Sequence, residues 1–518
     1  MSALTARYTL TGELVTRSPL HIGAATPGSI TDMEQVRDGL DRLVIPGTSL
    51  AGVLRSADGG DERWWGTHLT EAEVDRRGAH ASRITIADAP AADGRVLIRD
   101  GVSIDRVTGA AAHRHLFSRQ VVATGTRFAF TAWLEVARGD DDEAAATLMQ
   151  ELAARLIGGI TVGAAASAGL GRLELDAAQL RREDFATPSG LFDALTERGT
   201  LIDLTADTPP RGTLRITIPW TPLGPIMSKV ATAAGEAAAW PALDTDATGD
   251  HLRLLIPGTS IKGLLRGHAE RIVRTLTGNT VDSTDPLVQL ERSAALPAIG
   301  ELFGAAADLA AGTPGRRGLL SVREVTSTVT IPVDRWQAAR AAASAPATSA
   351  TERDRRRLAF AAAIDRLNEQ TAPHGLWFDI AARTAIDRWT GAASDGLLFT
   401  ALEPHTDPEA NAWSAIELEL DLTRPSTIGI EALLALLLLL VRDLAEGWIP
   451  FGFGTTRGLG ALRADPASIT VTIDAQTPES VRSLSGKTLH DILTDPALAT
   501  GLESAWHRAL ATSGATHS

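Results

Sequence analysis

Ile45-Pro-Gly-Thr-Ser-Leu-Ala-Gly-Val-Leu-Arg55 and Ile256-Pro-Gly-Thr-Ser-Ile-Lys-Gly-Leu-Leu-Arg266 are one motif written twice in a chain of 518 residues. Two more motifs repeat in the same order. Ile104-Asp-Arg-Val-Thr-Gly-Ala-Ala111 returns as Ile386-Asp-Arg-Trp-Thr-Gly-Ala-Ala393, each followed by a Leu-Phe pair, Leu116-Phe117 and Leu398-Phe399. Gly163-x5-Gly169-Leu-Gly171-x-Leu173 returns as Gly452-x5-Gly458-Leu-Gly460-x-Leu462. Three motifs in one order mean duplication and fusion. The seam falls near Asp207-Thr-Pro-Pro-Arg-Gly212, where two prolines and a glycine interrupt regular structure. This gives a first domain over 1–207 and a second over 212–518. The second is longer between its first two motifs, with an insertion at about 305–375. Its Ala/Ser/Thr-rich stretch from Ala338 to Thr351 and charged run from Glu352 to Arg357 predict a helical or loosely ordered segment.

Each copy shows the same order of patterns. Tyr8 to Val15, Phe128 to Val136 and Leu214 to Ile218 alternate as strands do. The stretches after Ser49 and Ser260 have helical spacing, with both serines placed as N-caps. Glu143 to Ile157 and Ile430 to Ala445 read as further helices, the first opened by a capping run, Asp140-Asp-Asp-Glu143. A β-α-β-β-α-β order is the ferredoxin-like, or RRM-like, fold, so the chain is predicted to be α+β with two tandem copies of it.

Composition removes several classes of function. The chain has no cysteine, which excludes disulfides, thiolate catalysis and Cys-based zinc sites. That fits a reducing cytoplasm, the expected location. The most apolar run, Ala432 to Val441, is half the ~20 residues a membrane span needs, so no membrane role is expected. A net charge of −14 opposes nucleic-acid binding unless positive charge is concentrated locally. It is concentrated around the second Pro-Gly motif, where Arg253, Lys262, Arg266, Arg271 and Arg274 face only Glu270. Lys262 and Arg266 stand one helical turn apart. In the first copy Ala51 replaces the lysine and Arg55 remains. Helix starts and glycine-rich turns both let a phosphate approach backbone N–H groups. Gly169, Gly171, Gly458 and Gly460, with Arg457, are therefore candidate contacts. No Gly-Lys-[Ser/Thr] follows either glycine loop, which excludes a P-loop ATPase. Arg106 and Arg388 sit in the Ile-Asp-Arg turn, the expected tip of a hairpin, where an Asp-Arg ion pair is the plain alternative. His113 and His115 lie beside the first of these turns and are general acid-base candidates.

Ser18-Pro-Leu-His-Ile-Gly23, an acidic loop, Ile45-Pro-Gly-Thr-Ser-Leu50 and Gly169-Leu-Gly171 together resemble the RAMP superfamily, and more closely the backbone subunits of type III CRISPR effector complexes. Two such domains in one chain are similar to the fused backbone subunits of type III-D-like systems. The resemblance implies a subunit that grips guide RNA with the helix after the Pro-Gly turn, through Ser49, Arg55, Ser260, Lys262 and Arg266. It implies a hairpin thumb between guide and target RNA, and neighbouring subunits of the same complex as partners. It further implies cleavage of target RNA with Mg²⁺ or another divalent metal. Asp32, in the loop after the first strand, matches the family's catalytic and metal-holding aspartate by position. The second copy departs from this pattern. Pro219-Trp-Thr-Pro-Leu-Gly-Pro225 replaces the Pro-Leu-His-Ile-Gly opening, and Met227 to Trp240 holds Glu236 but no aspartate. Asp246 or Asp244 is left as the only candidate for a cut there. Two other readings are compatible with the residues: a non-catalytic scaffold in the same complex, or a stand-alone RAMP endoribonuclease that trims guide precursor with His113 or His115.

Overall fold

A computed structural model describes the chain except for residues 1–2, 25–30, 68–78, 197, 205–211, 231–235, 281–282, 284, 297, 308–311, 313, 475–478 and 515–518. The expected seam from Asp207 to Arg211 lies outside the described residues. The chain forms two compact units. Unit one holds 1–99, 118–166 and 170–210. Unit two holds 211–518 together with two pieces of the first copy, 100–117 and 167–169.

Unit one is built on an antiparallel sheet. Its strands run in the order Thr200–Ile202, Arg172–Asp184, Leu4–Thr16, Arg127–Ala137 and Ile84–Ile86. The central strand alternates, so Ala6, Tyr8, Leu10 and Leu14 point into the core. Helix Asp142–Gly158 covers that face through Leu148, Met149, Leu152 and Leu156. It starts where it does because Asp141 accepts from Glu143 N–H and Ala144 N–H, both at 3.1 Å, satisfying donors that the helix leaves unpaired.

Unit two repeats the design. Its sheet order is Leu320–Val322, Ile416–Asp421, Thr213–Ile218 and Thr470–Asp474. Leu214, Ile216 and Ile218 face Ile416, Leu418 and Leu420 in the core. Helix Ile430–Ala445 is apolar almost all round because it is covered twice, by the sheet core and by the C-terminal helix Pro496–Gly514. The architecture is mixed α+β with tandem ferredoxin-like domains.

One expectation changes, and one pair of alternatives is decided. Ser49 and Ser260 are not N-caps. The helices start earlier, at Gly47 and Gly258, directly after Pro46 and Pro257, and the serines lie inside the first turn. In unit one the uncapped helix N-terminus is met from elsewhere, with Asp88 accepting from Gly47 N–H at 2.7 Å. The insertion contains two ordered helices, Val333–Ser344 and Ala350–Thr371. The second is started by a capping box between Ser349 and Glu352. Trp336, Phe360, Ile364 and Leu367 bury its inner face in the unit-two core, burial that a loose segment would lack.

Candidate functional site

The glycine loops show how the two copies correspond. A side chain at Gly163 would meet His21 O at 2.2 Å, and one at Gly452 would meet Met227 O at 2.3 Å. Gly171 N–H donates to Pro19 O at 2.8 Å, and Gly460 N–H to Pro225 O at 3.0 Å. Both Gly171 and Gly460 also have positive φ and press a neighbouring carbonyl, Val162 O and Phe451 O. The glycines are therefore required by close backbone approach within each unit. They also fix the register. Pro19-Leu-His-Ile-Gly23 is matched by Pro225-Ile-Met-Ser-Lys229, not by the segment beginning at Pro219. Pairing confirms the register downstream: Gly23 bridges Gln35 and Lys229 pairs with Pro241. Met33 bridges Arg119 in parallel, as Ala239 bridges Ala401. With no gap between these marks, Asp32 corresponds to Ala238.

In unit one the loop is held on the strand Ala111–Val122. Ser118 donates to Asp32 Oδ2 from its backbone N–H at 2.7 Å and from its hydroxyl at 3.1 Å. These bonds hold the Asp32 carboxyl below its usual range, so it is ionised at neutral pH. Asp32 is exposed, and its Oδ1 takes no hydrogen bond among the described residues. His21 lies on the same loop. It donates from Nδ1 to Gln120 O at 2.7 Å, and burial lowers its pKa, so the imidazole is neutral near pH 7. No group of three His, Asp or Glu side chains able to hold a metal exists among the described residues. What Asp32 offers a divalent ion is one free carboxylate oxygen. That would suit a hydrated ion with most of its ligands supplied from outside the chain, and does not fit a closed protein cage.

In unit two Ala238 N–H donates to Thr400 O at 2.7 Å, and Thr400 stands where Ser118 stands in unit one. The loop carboxylate Glu236 is engaged by the insertion, with Arg356 Nε at 2.6 Å and Arg357 Nε at 3.4 Å. Trp240 packs edge-on to Trp336 at 5.3 Å between ring centres. Asp246 binds Thr248 N–H and Oγ1 and Gly249 N–H, closing a turn as Asp38 does with Leu40 and Arg42. Asp244 lies in the short strand Leu243–Thr245. No second carboxylate thus occupies the Asp32 position.

The Pro-Gly helix Gly258–Thr277 carries a cluster of cations. Lys262 Nζ donates to Ser167 Oγ at 2.8 Å. Burial first, then the guanidinium groups of Arg317, Arg266 and Arg424, push Lys262 down to about 8. Arg424 is oriented by the carbonyls of Arg317 and Gly318 at 3.0 Å and by Asp421 at 2.9 Å. Arg266 is spoken for: it bonds Glu270 at 3.0 Å, Ser293 and the Gly304 carbonyl. In unit one, Arg55 binds the carbonyls of Trp65 and Gly66. The two motif arginines are thus helix anchors, Arg424 is held by Asp421 in the same way, and the positive charge open to an anion comes from Lys262 and Arg317. Sequence reading missed Arg317, Arg424 and Ser118, although a hydroxyl stands just after the Leu-Phe pair in both copies.

The Ile-Asp-Arg turns are identical in construction. Asp105 Oδ1 accepts from Val107 and Thr108 N–H at 2.7 and 2.8 Å. Asp387 Oδ1 accepts from Trp389 and Thr390 N–H, both at 2.8 Å. Gly109 and Gly391 take the left-handed backbone, φ 66° and 69°. Each turn caps a hairpin, Val96–Ile104 with Ala111–Val122 and Leu376–Ile386 with Ala393–Thr406. The aspartates build the turn and leave the arginines to act outward. Arg106 pairs with Glu270 at 3.0 Å, whereas Arg388 is exposed. Arg457 lies over the rings of Phe453 and Phe399, and Gly458 is open to solvent. His113 is exposed on the first hairpin and His115 is half-buried.

Among the described residues no helix is long and apolar enough to cross a membrane. No curated protein matches the chain. The RAMP superfamily profile matches residues 13–174 and 252–463, once in each copy. Those two stretches span most of the chain and contain all three repeated motifs, so the chain belongs to the RAMP superfamily.

Proposed function

We propose that this chain is an RNA-binding backbone subunit of a type III CRISPR ribonucleoprotein, and that it cleaves target RNA from its first repeat only. The observation that carries this reading is the match between Asp32, ionised and half-free, and Ala238 at the same register. Superfamily membership supports RNA as the ligand, and the Lys262 cluster supplies the local positive charge that a net charge of −14 otherwise denies.

Ser118 fixes one oxygen of Asp32, so the other points in a set direction. There it orients a ribose 2′-OH and accepts its proton as that oxygen attacks the adjacent phosphorus. The P–O5′ bond breaks and O5′ takes a proton from water, leaving a 2′,3′-cyclic phosphate and a 5′-hydroxyl end. A divalent ion, when bound, would neutralise phosphate charge. Neutral His21 braces the loop through Gln120 and keeps its own proton. In the second repeat the loop serves as a landing surface for the insertion, and RNA is bound there without being cut. The test is cleavage of complementary RNA by the guide-loaded complex, wild type against Asp32→Ala, with Mg²⁺ and with EDTA. Loss of one defined cut with guide binding intact is expected. An unchanged pattern would assign the chain to the scaffold.

A further inference from the structure

The insertion lays a row of arginines beside the loop that holds Ala238. Helix Ala350–Thr371 turns one face inward, and late in the helix that face reads Phe360, Ile364 and Leu367, all buried in the unit-two core. Over the first turns the same face reads Arg353, Arg356 and Arg357, at the i, i+3 and i+4 spacing of side-chain neighbours. Arg356 is spent on structure, bonding Glu236 and the Ala345 carbonyl at 3.0 Å. Arg357 meets the other oxygen of Glu236 through Nε at 3.4 Å and keeps 62% of its side chain exposed. Arg353 is exposed, and its side chain pairs with no carboxylate among the described residues. Helix Val333–Ser344 adds Arg340, exposed and lying over the Trp240 ring at 5.6 Å. Backbone ties the loop to that helix, with Glu236 N–H donating to Ala343 O at 3.0 Å. Of the acidic residues nearby, Glu352 is taken by Thr348 and Ser349, and Asp354 stands about 100° round the helix from Arg353. Two residues before Ala238, the single carboxylate of Glu236 is thus outnumbered by guanidinium groups.

We infer that Arg353, Arg357 and Arg340 form an RNA phosphate clamp at the uncut loop, supplied by the insertion and independent of any divalent ion. The inference rests on the reading above, in which RNA passes both loops. Register places Ala238 where Asp32 stands, and both positions are exposed. A phosphate beside the ionised Asp32 is repelled unless a cation stands between them. Beside Ala238 there is no such repulsion, and guanidinium groups can meet the phosphate directly. Their planar fork of N–H donors matches phosphate oxygens. Glu236 sets the height of the helix through Arg356 and leaves Arg353 and Arg340 uncompensated. An arginine has no acceptor and stays protonated at neutral pH, so it takes no proton from a 2′-OH. The clamp therefore holds a strand and does not cut it. A protein carboxylate would satisfy the same arginines; the shared register with Asp32 is what favours RNA.

The test is titration of the full-length chain with a labelled single-stranded RNA in EDTA, over a range of salt. Arg353→Glu with Arg357→Glu should weaken binding roughly tenfold or more and lower the slope of log affinity against log salt by about 1.4, two phosphate contacts at ~0.7 each. Arg355→Glu with Arg366→Glu is the control, since both are exposed on the opposite side of the same helix and change the net charge equally. It should leave affinity within about twofold. Glu236→Gln should move affinity the other way, because it removes the one carboxylate at the row. The chain has no cysteine, so Ala238→Cys supplies a single thiol for a tethered photocrosslinker. That crosslinker should capture RNA, and should lose it when Arg353→Glu and Arg357→Glu are added. Equal weakening in the control overturns the clamp in favour of long-range charge. Weakening by Glu236→Gln overturns it in favour of a folding contact. RNA binding that ignores the row altogether also overturns it, while the Asp32-dependent cut of the guide-loaded complex still stands as a separate result. A wild-type chain that holds no RNA, alone or in the complex, fails the reading itself, and the clamp falls with it.

Discussion

The loop after the first strand differs between the two repeats more sharply than any other shared part. In unit one it carries Asp32, held on one oxygen by Ser118 and facing solvent. In unit two it carries Ala238, and its only carboxylate, Glu236, is tied to two arginines of the insertion. The backbone scaffold is common: the same proline carbonyls receive the same glycine N–H groups and the same parallel bridge closes each loop. The difference teaches that the same loop geometry does not require the same side chain at its exposed position. Register, rather than the nearest acidic residue, decides which position is equivalent.

The comparison can be broken most directly at Asp32. Asp32→Ala should lower the rate of one cut by roughly 10²-fold or more, read on labelled target RNA, while the Glu236→Ala variant leaves every cut in place. The next largest effect is in stability. Glu270→Ala strands Arg106, Arg266 and Ser293 around a buried site and should cost about 3 kcal/mol in urea unfolding. Gly171→Ala and Gly460→Ala should each cost upwards of ~2 kcal/mol, because each Cβ would strike a carbonyl within its own unit. Gly458→Ala meets open space and should cost only the ~1 kcal/mol of its positive φ.

A pH titration sharpens the comparison further. Lys262 is pushed down to about 8, so it is charged below that pH and loses its proton as pH rises through it. Its depressed value also means that the stability associated with the neutral form is present above the ordinary lysine value and is lost as pH falls through about 8. RNA affinity should therefore weaken between about pH 7 and pH 9, and Lys262→Arg should flatten that profile in a binding assay at fixed salt. The smallest effect separates the helix starts: Asp88→Ala should cost about 1 kcal/mol, whereas Ser49→Ala should be nearly silent.

Much of this was legible in the sequence because it is local. Alternating strands, the buried helix Ile430–Ala445 and the Asp140–Glu143 cap follow from neighbours a few residues away, and all appear as expected. The triple repeat exposed the tandem plan. What stayed hidden depends on contacts distant in sequence. The true counterpart of Pro19-Leu-His emerges only when Gly460 is seen bonding Pro225. Arg266 looked available until Glu270, Ser293 and the Gly304 carbonyl closed around it. Arg317 and Arg424 belong to no repeated motif, and only the fold brings them near Lys262.

The helices from Val333 to Thr371 lean on the loop that carries Ala238 in place of an aspartate, through Trp240 against Trp336 and Glu236 against Arg356. One copy of the loop holds a half-free carboxylate, and the other accepts an addition. Ala238 itself is exposed, so regaining an aspartate there asks for a single substitution and no repacking. Removing the insertion would instead strip Trp336, Phe360, Ile364 and Leu367 from the core. The missing carboxylate is the reversible difference between the copies, and the added helices are the one that the core has made permanent.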